Sequence, residues 1–252
     1  TTMSEQHSVM PAIFIGHGSP GNILEDNPAT RMWESLASEF DRPKGIVCVS
    51  AHWYIKGTAV TANEQPRTIH DFGGFPQIMY EMQYPAPGSQ ELANLIVALL
   101  EEEGARADSS WGFDHGTWCV LSKVYPNADI PVVQLSIDRT QSNEYHFNVG
   151  KKLSALREQG YLILGSGNIV HNLGVMNWGA RGTTYPWAQR FGAYIRDAVT
   201  SDTPEHAINY LAFGPEAQQS VPSPDHYLPL LYVLGARKSS DKVAFKSQYC
   251  EY

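Results

Sequence analysis

The sequence has few cysteines, and their positions exclude two kinds of site. Cys48, Cys119 and Cys250 stand far apart, with no CxxC pair among them. A disulfide framework needs paired spacings, and a thiolate zinc site needs close pairs of cysteines, so neither is indicated. Unpaired cysteines are typical of a reducing compartment, and we therefore expect a cytoplasmic protein.

Basic residues and long apolar runs are also scarce. Lysine and arginine number 18 against 26 aspartate and glutamate, which gives a formal net charge of -8. Nucleic-acid binding needs a basic patch, so no nucleic-acid partner is expected. No apolar run reaches the roughly 18 residues of a transmembrane helix, so no membrane partner is expected either. The polar start of the chain does not have the pattern of a signal peptide.

Three common enzyme motifs are missing. Ser19 does not stand in a GxSxG nucleophile elbow, and the sequence holds neither a P-loop nor a GxGxxG fingerprint. Serine-hydrolase, nucleotide-hydrolysing and dinucleotide-dependent chemistry are therefore poorly supported.

Apolar strands alternate with amphipathic helices along the chain, which predicts an α/β fold. We expect a single domain over residues 11–252, with a mostly parallel central sheet flanked by helices, after a flexible tail at 1–10. Strands are predicted at 12–15, 45–50, 58–62, 130–137, 161–164 and 243–245. Helices are predicted at 24–40, 90–103, 143–159, 185–199 and 205–213, before Tyr125 and after His226.

Five of the nine histidines stand in turns marked by glycine or proline, beside apolar elements. His17 and His52 follow the first two strands, and His171 follows a Gly-Ser-Gly turn after a later strand. His115 lies in another glycine-framed turn, and His226 begins an apolar helix. Because ligands of open α/β sheets bind beyond the carboxyl ends of strands, we expect these histidines to converge on one site.

The other four histidines carry less weight. His7, His146 and His206 lie in polar tail or helix contexts and are interpreted as surface or hydrogen-bonded core residues. His70 is intermediate, because it belongs to a long loop at 68–87 that is rich in aromatic residues, glycine and proline. Long ordered loops of this kind are often lids or walls of binding sites.

Two phenylalanines of this loop, Phe72 and Phe75, are candidates for the wall of a pocket that binds a flat substrate. The alternative, that they only cap the core, has equal support. Neutral imidazole binds zinc, copper, iron and nickel, and three ligands with open positions are the arrangement of a catalytic metal site. Since no cysteine is suitably placed, the five histidines indicate a catalytic metal.

Seven segments carry a resemblance to a known family. They are Gly16-His17-Gly18-Ser19-Pro20, Ser50-Ala51-His52-Trp53, 70–76, 84–88, 112–116, 165–173 and 225–230. The chain resembles the class III extradiol ring-opening dioxygenases, and within them the 4,5-DOPA dioxygenase branch. The likeness extends over nearly the whole chain, from about residue 11 to residue 235.

This resemblance implies that His17, His52 and His226 bind one metal ion. It also implies that His171 is the acid/base group beside the metal and that His115 lines the catechol pocket. Protocatechuate-type relatives have a glutamate as the third ligand, whereas this sequence has His226 there. An all-histidine site fits zinc as well as iron, and with zinc bound His171 could be a fourth ligand.

The reaction implied is the opening of a catechol ring, such as that of L-DOPA, by O2. Fe(II) would be the active metal and Zn(II) an alternative occupant. A competing hypothesis is a zinc-dependent hydrolase that uses the same histidines, and a third is a non-catalytic protein with a closed four-histidine site. The natural catechol, the position of ring cleavage and the oligomeric state are left open by the sequence.

Overall fold

A computed structural model describes residues 9–171 and 185–245. The strands are β1 (Ala12–Gly16), β2 (Gly45–Ile55), β3 (Ala59–Thr61), β4 (Arg106–Asp108), β5 (Val132–Asp138) and β6 (Tyr161–Gly167). The helices are α1 (Pro28–Leu36), α2 (Gln77–Glu81), α3 (Gln90–Leu99), α4 (His115–Val124), α5 (Asn143–Glu158), α6 (Pro186–Thr200), α7 (Pro204–Ile208), α8 (Pro215–Ser220) and α9 (Leu228–Gly235). Short 3-10 turns lie at Pro20–Leu24, Glu101–Glu103 and Tyr210–Phe213.

The six strands form one sheet in the order β1-β6-β2-β5-β3-β4. All neighbours pair in parallel except β3 and β5, which are antiparallel. The predicted α/β fold with a mostly parallel sheet is therefore confirmed. Strand β6 is buried along its whole length between β1 and β2, as expected of a strand covered on both faces.

Helices cover both faces of the sheet. Alternate residues of β2 belong to opposite cores: Val47 packs with Leu92 of α3, and Ile46 packs with Trp33 of α1. This alternation follows from the period of two in a strand, because successive side chains point to opposite faces. The two hydrophobic cores hold the sheet rigid, so that its carboxyl edge can carry a site.

The boundaries differ from the sequence-based prediction at several points. Helix α1 begins only at Pro28, because Asn27 and Thr30 form a capping box there. The helix predicted at 205–213 divides into α7 and a 3-10 turn. β4 was not expected, since its three residues have no apolar pattern. The strand predicted at 243–245 is wrong: this segment is exposed and pairs with no strand of the described chain.

His52 lies in a bulge of strand β2. Val49 and Tyr54 are five residues apart in β2, whereas their partners in β5, Leu135 and Ile137, are only two residues apart. The extra residues leave the ladder and redirect their side chains, which is the usual effect of a bulge beside a functional site. His52 is thereby placed at the carboxyl edge of the sheet.

Several expectations lie outside the described residues. These are the tail at 1–8 with His7, and Asn172, Leu173 and Cys250. The boundary between tail and domain stays a prediction. In the parts of the chain that the structure describes, none of the helices has both the length and the apolar character needed to cross a bilayer.

Candidate metal centre

The structure brings the five strand-end and helix-start histidines together. His17 directly follows β1, His52 lies in the bulge of β2, and His171 comes shortly after β6. His115 is the first residue of α4, and His226 lies two residues before the start of α9. Because β1, β6 and β2 are adjacent and parallel, their carboxyl ends lie side by side and bring these turns into contact.

Three of the rings surround a common point. The ring centroids of His17 and His52 are 4.9 Å apart, and that of His226 lies 5.2 Å from His17 and 4.9 Å from His52. The Nε2 atoms of His17 and His52 approach to 3.2 Å. The three rings are therefore close neighbours at the carboxyl edge of the sheet.

His115 lies on the other side of His52, and the two ring centroids are 3.8 Å apart. The ligand atoms of His17, His52 and His115 all lie within 4.8 Å of one another, so this group could also hold a metal ion. His115 and His226 are therefore alternative third partners of His17 and His52: the spacing of the ligand atoms favours His115, and the family resemblance implies His226.

His171 contacts the cluster through His226. Their rings stack with centroids 3.6 Å apart and planes inclined by only 6°. The backbone N–H of His171 donates to the carbonyl of Ser220 at 2.8 Å, which ties the turn after β6 to the end of α8. His171, Asp225 and His226 form a second group of closely spaced ligand atoms.

Ser166 of β6 determines which nitrogen of His17 faces the cluster. The Ser166 hydroxyl donates its only hydrogen to the Gly116 carbonyl at 2.5 Å, since a carbonyl can only accept. The same Oγ lies 2.9 Å from Nδ1 of His17 and must therefore accept from an Nδ1–H group. Nε2 of His17 is left with a lone pair directed at His52.

In two other histidines, Nδ1 faces a carboxylate. Nδ1 of His226 lies 2.5 Å from Oδ2 of Asp225, whose other oxygen accepts from the Ser223 hydroxyl at 2.6 Å. Nδ1 of His115 lies 2.9 Å from Oδ1 of Asp71, although the ring and carboxylate do not have the alignment of a full hydrogen bond. Carboxylate–histidine pairs of this kind orient the rings in metal sites and make them more basic.

Burial sets the protonation of three of these histidines. The pKa of His17 is held well below its usual range, first by burial and then by repulsion from His52. The pKa of His52 is lowered too, first by burial and then by His115. Burial, followed by His226, lowers the pKa of His171 to about 4. Near neutral pH these imidazoles are uncharged, which is the form that binds a metal or accepts a proton.

Glycines allow the elements that carry the histidines to approach closely. A Cβ on Gly167 would lie 2.2 Å from the carbonyl oxygen of His226. A Cβ on Gly116 would lie 2.5 Å from Oγ of Ser50 and 3.0 Å from Cδ2 of His52. The turn before α9 and the start of α4 therefore pack against the sheet at distances that only glycine permits.

The aromatic loop contributes one ring beside the histidines. Phe72 meets the ring of His115 edge-on at 5.8 Å, and Phe75 packs on Phe72 at 5.4 Å. His70 is turned away, and its Nε2–H donates to the Met82 carbonyl at 2.7 Å. Trp53 stacks on Trp111 at 5.7 Å.

Two of the histidines given less weight lie elsewhere. His146 is fully buried in α5, where its Nδ1 pairs with the hydroxyl of Tyr232 at 2.8 Å. His206 is exposed and stacks on Tyr194.

The sequence analysis missed the polar residues that support the cluster, namely Asp71, Asp114, Ser166 and Asp225. All four stand within the segments that carried the family resemblance, next to glycine or histidine. Their position beside those motifs could have indicated a role. The partner of each could not be inferred from the sequence, because the contacts depend on strand order.

Known proteins are similar to this chain over most of its length. The family model described as the catalytic LigB subunit of aromatic ring-opening dioxygenase matches residues 11–252. A 4,5-DOPA dioxygenase extradiol of Escherichia coli (strain K12) is 53% identical over 231 residues, which cover 90% of this chain and 85% of the relative. One of Beta vulgaris is 35% identical over 95% of this chain and 91% of its own.

A solved structure has the same fold. The crystal structure of an uncharacterized protein from Escherichia coli K12 aligns with a TM-score of 0.82 at 44% identity, covering 94% of this chain and 93% of that one. The expected membership of the extradiol dioxygenases is confirmed by these similarities. The chain thus belongs to the LigB family of aromatic ring-opening dioxygenases, in which a histidine cluster suited to one metal ion is the candidate active centre.

Proposed function

We propose that this chain opens the ring of a catechol such as L-DOPA, adding both atoms of O2 beside the hydroxyl pair. The observation that carries the proposal is the convergence of His17, His52 and His226, with two further histidines, at the carboxyl ends of parallel strands. Family membership favours this reaction over zinc-dependent hydrolysis on the same residues.

We assign one divalent metal ion to His17, His52 and His226. Ser166 and Asp225 engage Nδ1 of His17 and of His226, which leaves Nε2 of each as the ligand atom. An all-imidazole donor set accepts both Fe(II) and Zn(II). When bound, Fe(II) supplies the electron transfer between catechol and O2, whereas Zn(II) has no redox chemistry and would leave the enzyme inactive.

The stacking of His171 on His226 supports an acid/base role for His171. A metal ion bound through a ring nitrogen lies near the plane of that ring. Two parallel rings 3.6 Å apart cannot both direct a lone pair at one ion. With His226 as the ligand, His171 stands beside the metal rather than on it, which disfavours a closed four-histidine site.

His171 and His115 are the groups positioned to act on the substrate. The lowered pKa of His171, about 4 because of burial and of His226, keeps its ring neutral at pH 7. A neutral ring can take a proton from a catechol hydroxyl and later return it. His115, next to His52, would hold a substrate oxygen by a hydrogen bond.

Phe72 and Phe75 complete the proposed pocket. Phe72 presents its ring beside His115, where an apolar surface would contact the flat face of a catechol and exclude water. Phe75 supports Phe72 from behind and packs near Gly21, in the turn after His17. Both are therefore assigned to substrate binding.

We also propose a cytoplasmic location. Cys48 and Cys119 are buried and form no disulfide, which is typical of proteins in a reducing compartment.

The experiment is anaerobic loading with Fe(II), addition of catechols including L-DOPA, and then of O2. We expect O2 uptake and a yellow ring-opened product in equal amounts. Protein loaded with Zn(II) is the matched control and should consume no O2. Turnover of an ester or amide without O2 by the zinc form, with no ring opening by the iron form, would instead establish a hydrolase.

A further inference from the structure

The first backbone N–H of helix α4 donates its hydrogen bond to a residue of a distant loop. Asp114 occupies the N-cap position but makes no side-chain cap hydrogen bond. Its carboxylate accepts instead from the Ser50 hydroxyl at 2.6 Å and from Nε2 of Gln134 at 2.9 Å. The backbone N–H of His115 donates to Oδ1 of Asp71 at 2.8 Å. Asp71 thus caps the helix end that carries His115.

The same carboxylate faces a ring nitrogen of each of two histidines. Oδ1 of Asp71 lies 2.9 Å from Nδ1 of His115, and Oδ2 lies 3.9 Å from Nδ1 of His52. The two rings are themselves in contact, with centroids 3.8 Å apart. A negative charge placed between these Nδ1 atoms favours a proton on each of them, and Nε2 of each ring is then left for the site.

The position of Asp71 is fixed by hydrogen bonds of the two residues that precede it. The N–H of Ile69 donates to the carbonyl of Phe113 at 2.7 Å, and the indole N–H of Trp118 donates to the carbonyl of Ile69 at 2.8 Å. On the ring of His70, Nε2–H binds the Met82 carbonyl at 2.7 Å. The loop is therefore tied to the residues before α4 and to α4 itself, so the carboxylate is held in place.

We propose that Asp71 is a positioning residue for ring opening, whose negative charge beside Nδ1 of His115 and Nδ1 of His52 keeps Nε2 of each ring directed at substrate and metal. This inference rests on the proposed function, since it concerns residues of the same site. Asp71 faces only the Nδ1 atoms of the two rings, so its effect on substrate and metal is exerted through His115 and His52. Neither composition nor spacing pointed to this role.

Asp71→Asn removes the negative charge of this side chain but keeps an oxygen that can cap α4. The amide oxygen of asparagine can still accept the N–H of His115, but the amide lacks the negative charge and turns an NH2 group towards one of the rings. Asp108→Asn is the matched control: Asp108 also accepts backbone N–H groups, those of Ser110 at 2.8 Å and Trp111 at 3.0 Å, in a turn without histidines.

For Fe(II)-loaded Asp71→Asn we expect kcat to fall by at least about tenfold, with KM within about threefold of the wild type and metal content unchanged. Asp108→Asn should keep its kcat. Asp71→Ala should lose both the cap and the positioning, and thus be less stable and no more active than Asp71→Asn. A kcat of Asp71→Asn equal to that of the wild type would overturn the proposal.

The tautomer of His115 is measured without turnover. In Zn(II)-loaded protein labelled with 15N-histidine, the His115 signals, identified by their loss in His115→Ala, should show Nδ1–H in the wild type. In Asp71→Asn they should shift towards Nε2–H. An unchanged tautomer would contradict the inference. Because this measurement needs no catechol, a wild type that opens no ring would refute the proposed function and leave the role of Asp71 to be decided separately.

Discussion

The hydroxyl of Ser166 fixes the tautomer of His17, since it donates to the Gly116 carbonyl and can only accept from Nδ1–H. Ser166→Ala should therefore weaken metal binding by about 10- to 100-fold, the usual effect of removing a group that orients a ligand. Competition with a chelator measures this loss.

Ser136→Ala is the control for Ser166→Ala. Ser136 is also buried and bridges two backbone groups, accepting from the N–H of Ala59 at 2.7 Å and donating to the Gly57 carbonyl at 3.0 Å, away from the histidines. Each variant should lose about 1–3 kcal/mol of unfolding free energy through unpaired buried groups. Equal metal affinity of the two variants would contradict the role given to Ser166.

The histidine variants should divide into two classes. His226→Ala should lose the metal, while His171→Ala and His115→Ala should keep it, because we assign His226 as the third ligand and the stacking of His171 on His226 disfavours His171 as a ligand. For His171→Ala, ring opening should fall by about 10²- to 10⁴-fold, as is typical of a lost acid/base group. Elemental analysis and O2 uptake measure the two properties.

His206→Ala is the control for these variants, because His206 is exposed and stacks on Tyr194. It should retain both metal and activity. If His115→Ala rather than His226→Ala loses the metal, the triplet of His17, His52 and His115 is the correct one.

Gly167→Ala should disrupt the contact between β6 and the turn that carries His226. Its Cβ would lie 2.2 Å from the His226 carbonyl oxygen, so either β6 or the turn must move. We expect a loss of about 1–3 kcal/mol in the free energy of unfolding, together with weaker metal binding. Gly192→Ala, where a Cβ in α6 meets nothing within 4 Å, should instead be neutral or add up to about 1 kcal/mol. Urea denaturation of both variants measures the difference.

His146 should make the folded protein less stable as the pH falls. Burial lowers its pKa to about 4 from the 6.5 of an exposed histidine. Between these values the unfolded chain binds a proton that the folded chain does not, so the free energy of unfolding decreases as pH drops and the effect is absent above pH 6.5. The loss should reach up to about 3 kcal/mol near pH 4.

His146→Gln tests this pH dependence in metal-free protein. The variant should be less stable than the wild type near neutral pH, because the bond to Tyr232 is altered. Its free energy of unfolding should then fall less steeply between pH 6.5 and 4 than that of the wild type. Parallel curves for the two proteins would show that His146 does not contribute.

Much of the fold and the positions of the five clustered histidines were predictable, because both are local signals. Apolar runs ending in a glycine-framed histidine mark the carboxyl end of a buried strand, and helices such as α3 and α5 have clear boundaries in the sequence. The exposed strand β4 was not predictable, since it lacks a pattern that burial would impose. The strand prediction at 243–245 was wrong because its apolar residues Val243 and Phe245 are exposed instead of packed on the sheet.

The supporting contacts of the site could not be predicted from spacing. Ser166 meets His17 only because β6 lies beside β1, and Asp71 meets His115 only because its loop is tied to α4. The bulge that aims His52 is likewise a property of the pairing between β2 and β5. Such contacts join residues far apart in the chain, and one sequence does not record which strands are neighbours.

The insertion of β6 between β1 and β2 has a consequence for the order of folding. During synthesis β1 and β2 emerge long before their shared neighbour, and within the described ranges β1 pairs only with residues 161–167. Pairings this distant in sequence form slowly, because a long loop must close first. The nascent chain therefore exposes the apolar edges of both strands to aggregation until β6 docks, and the binding centre assembles only at the end of folding.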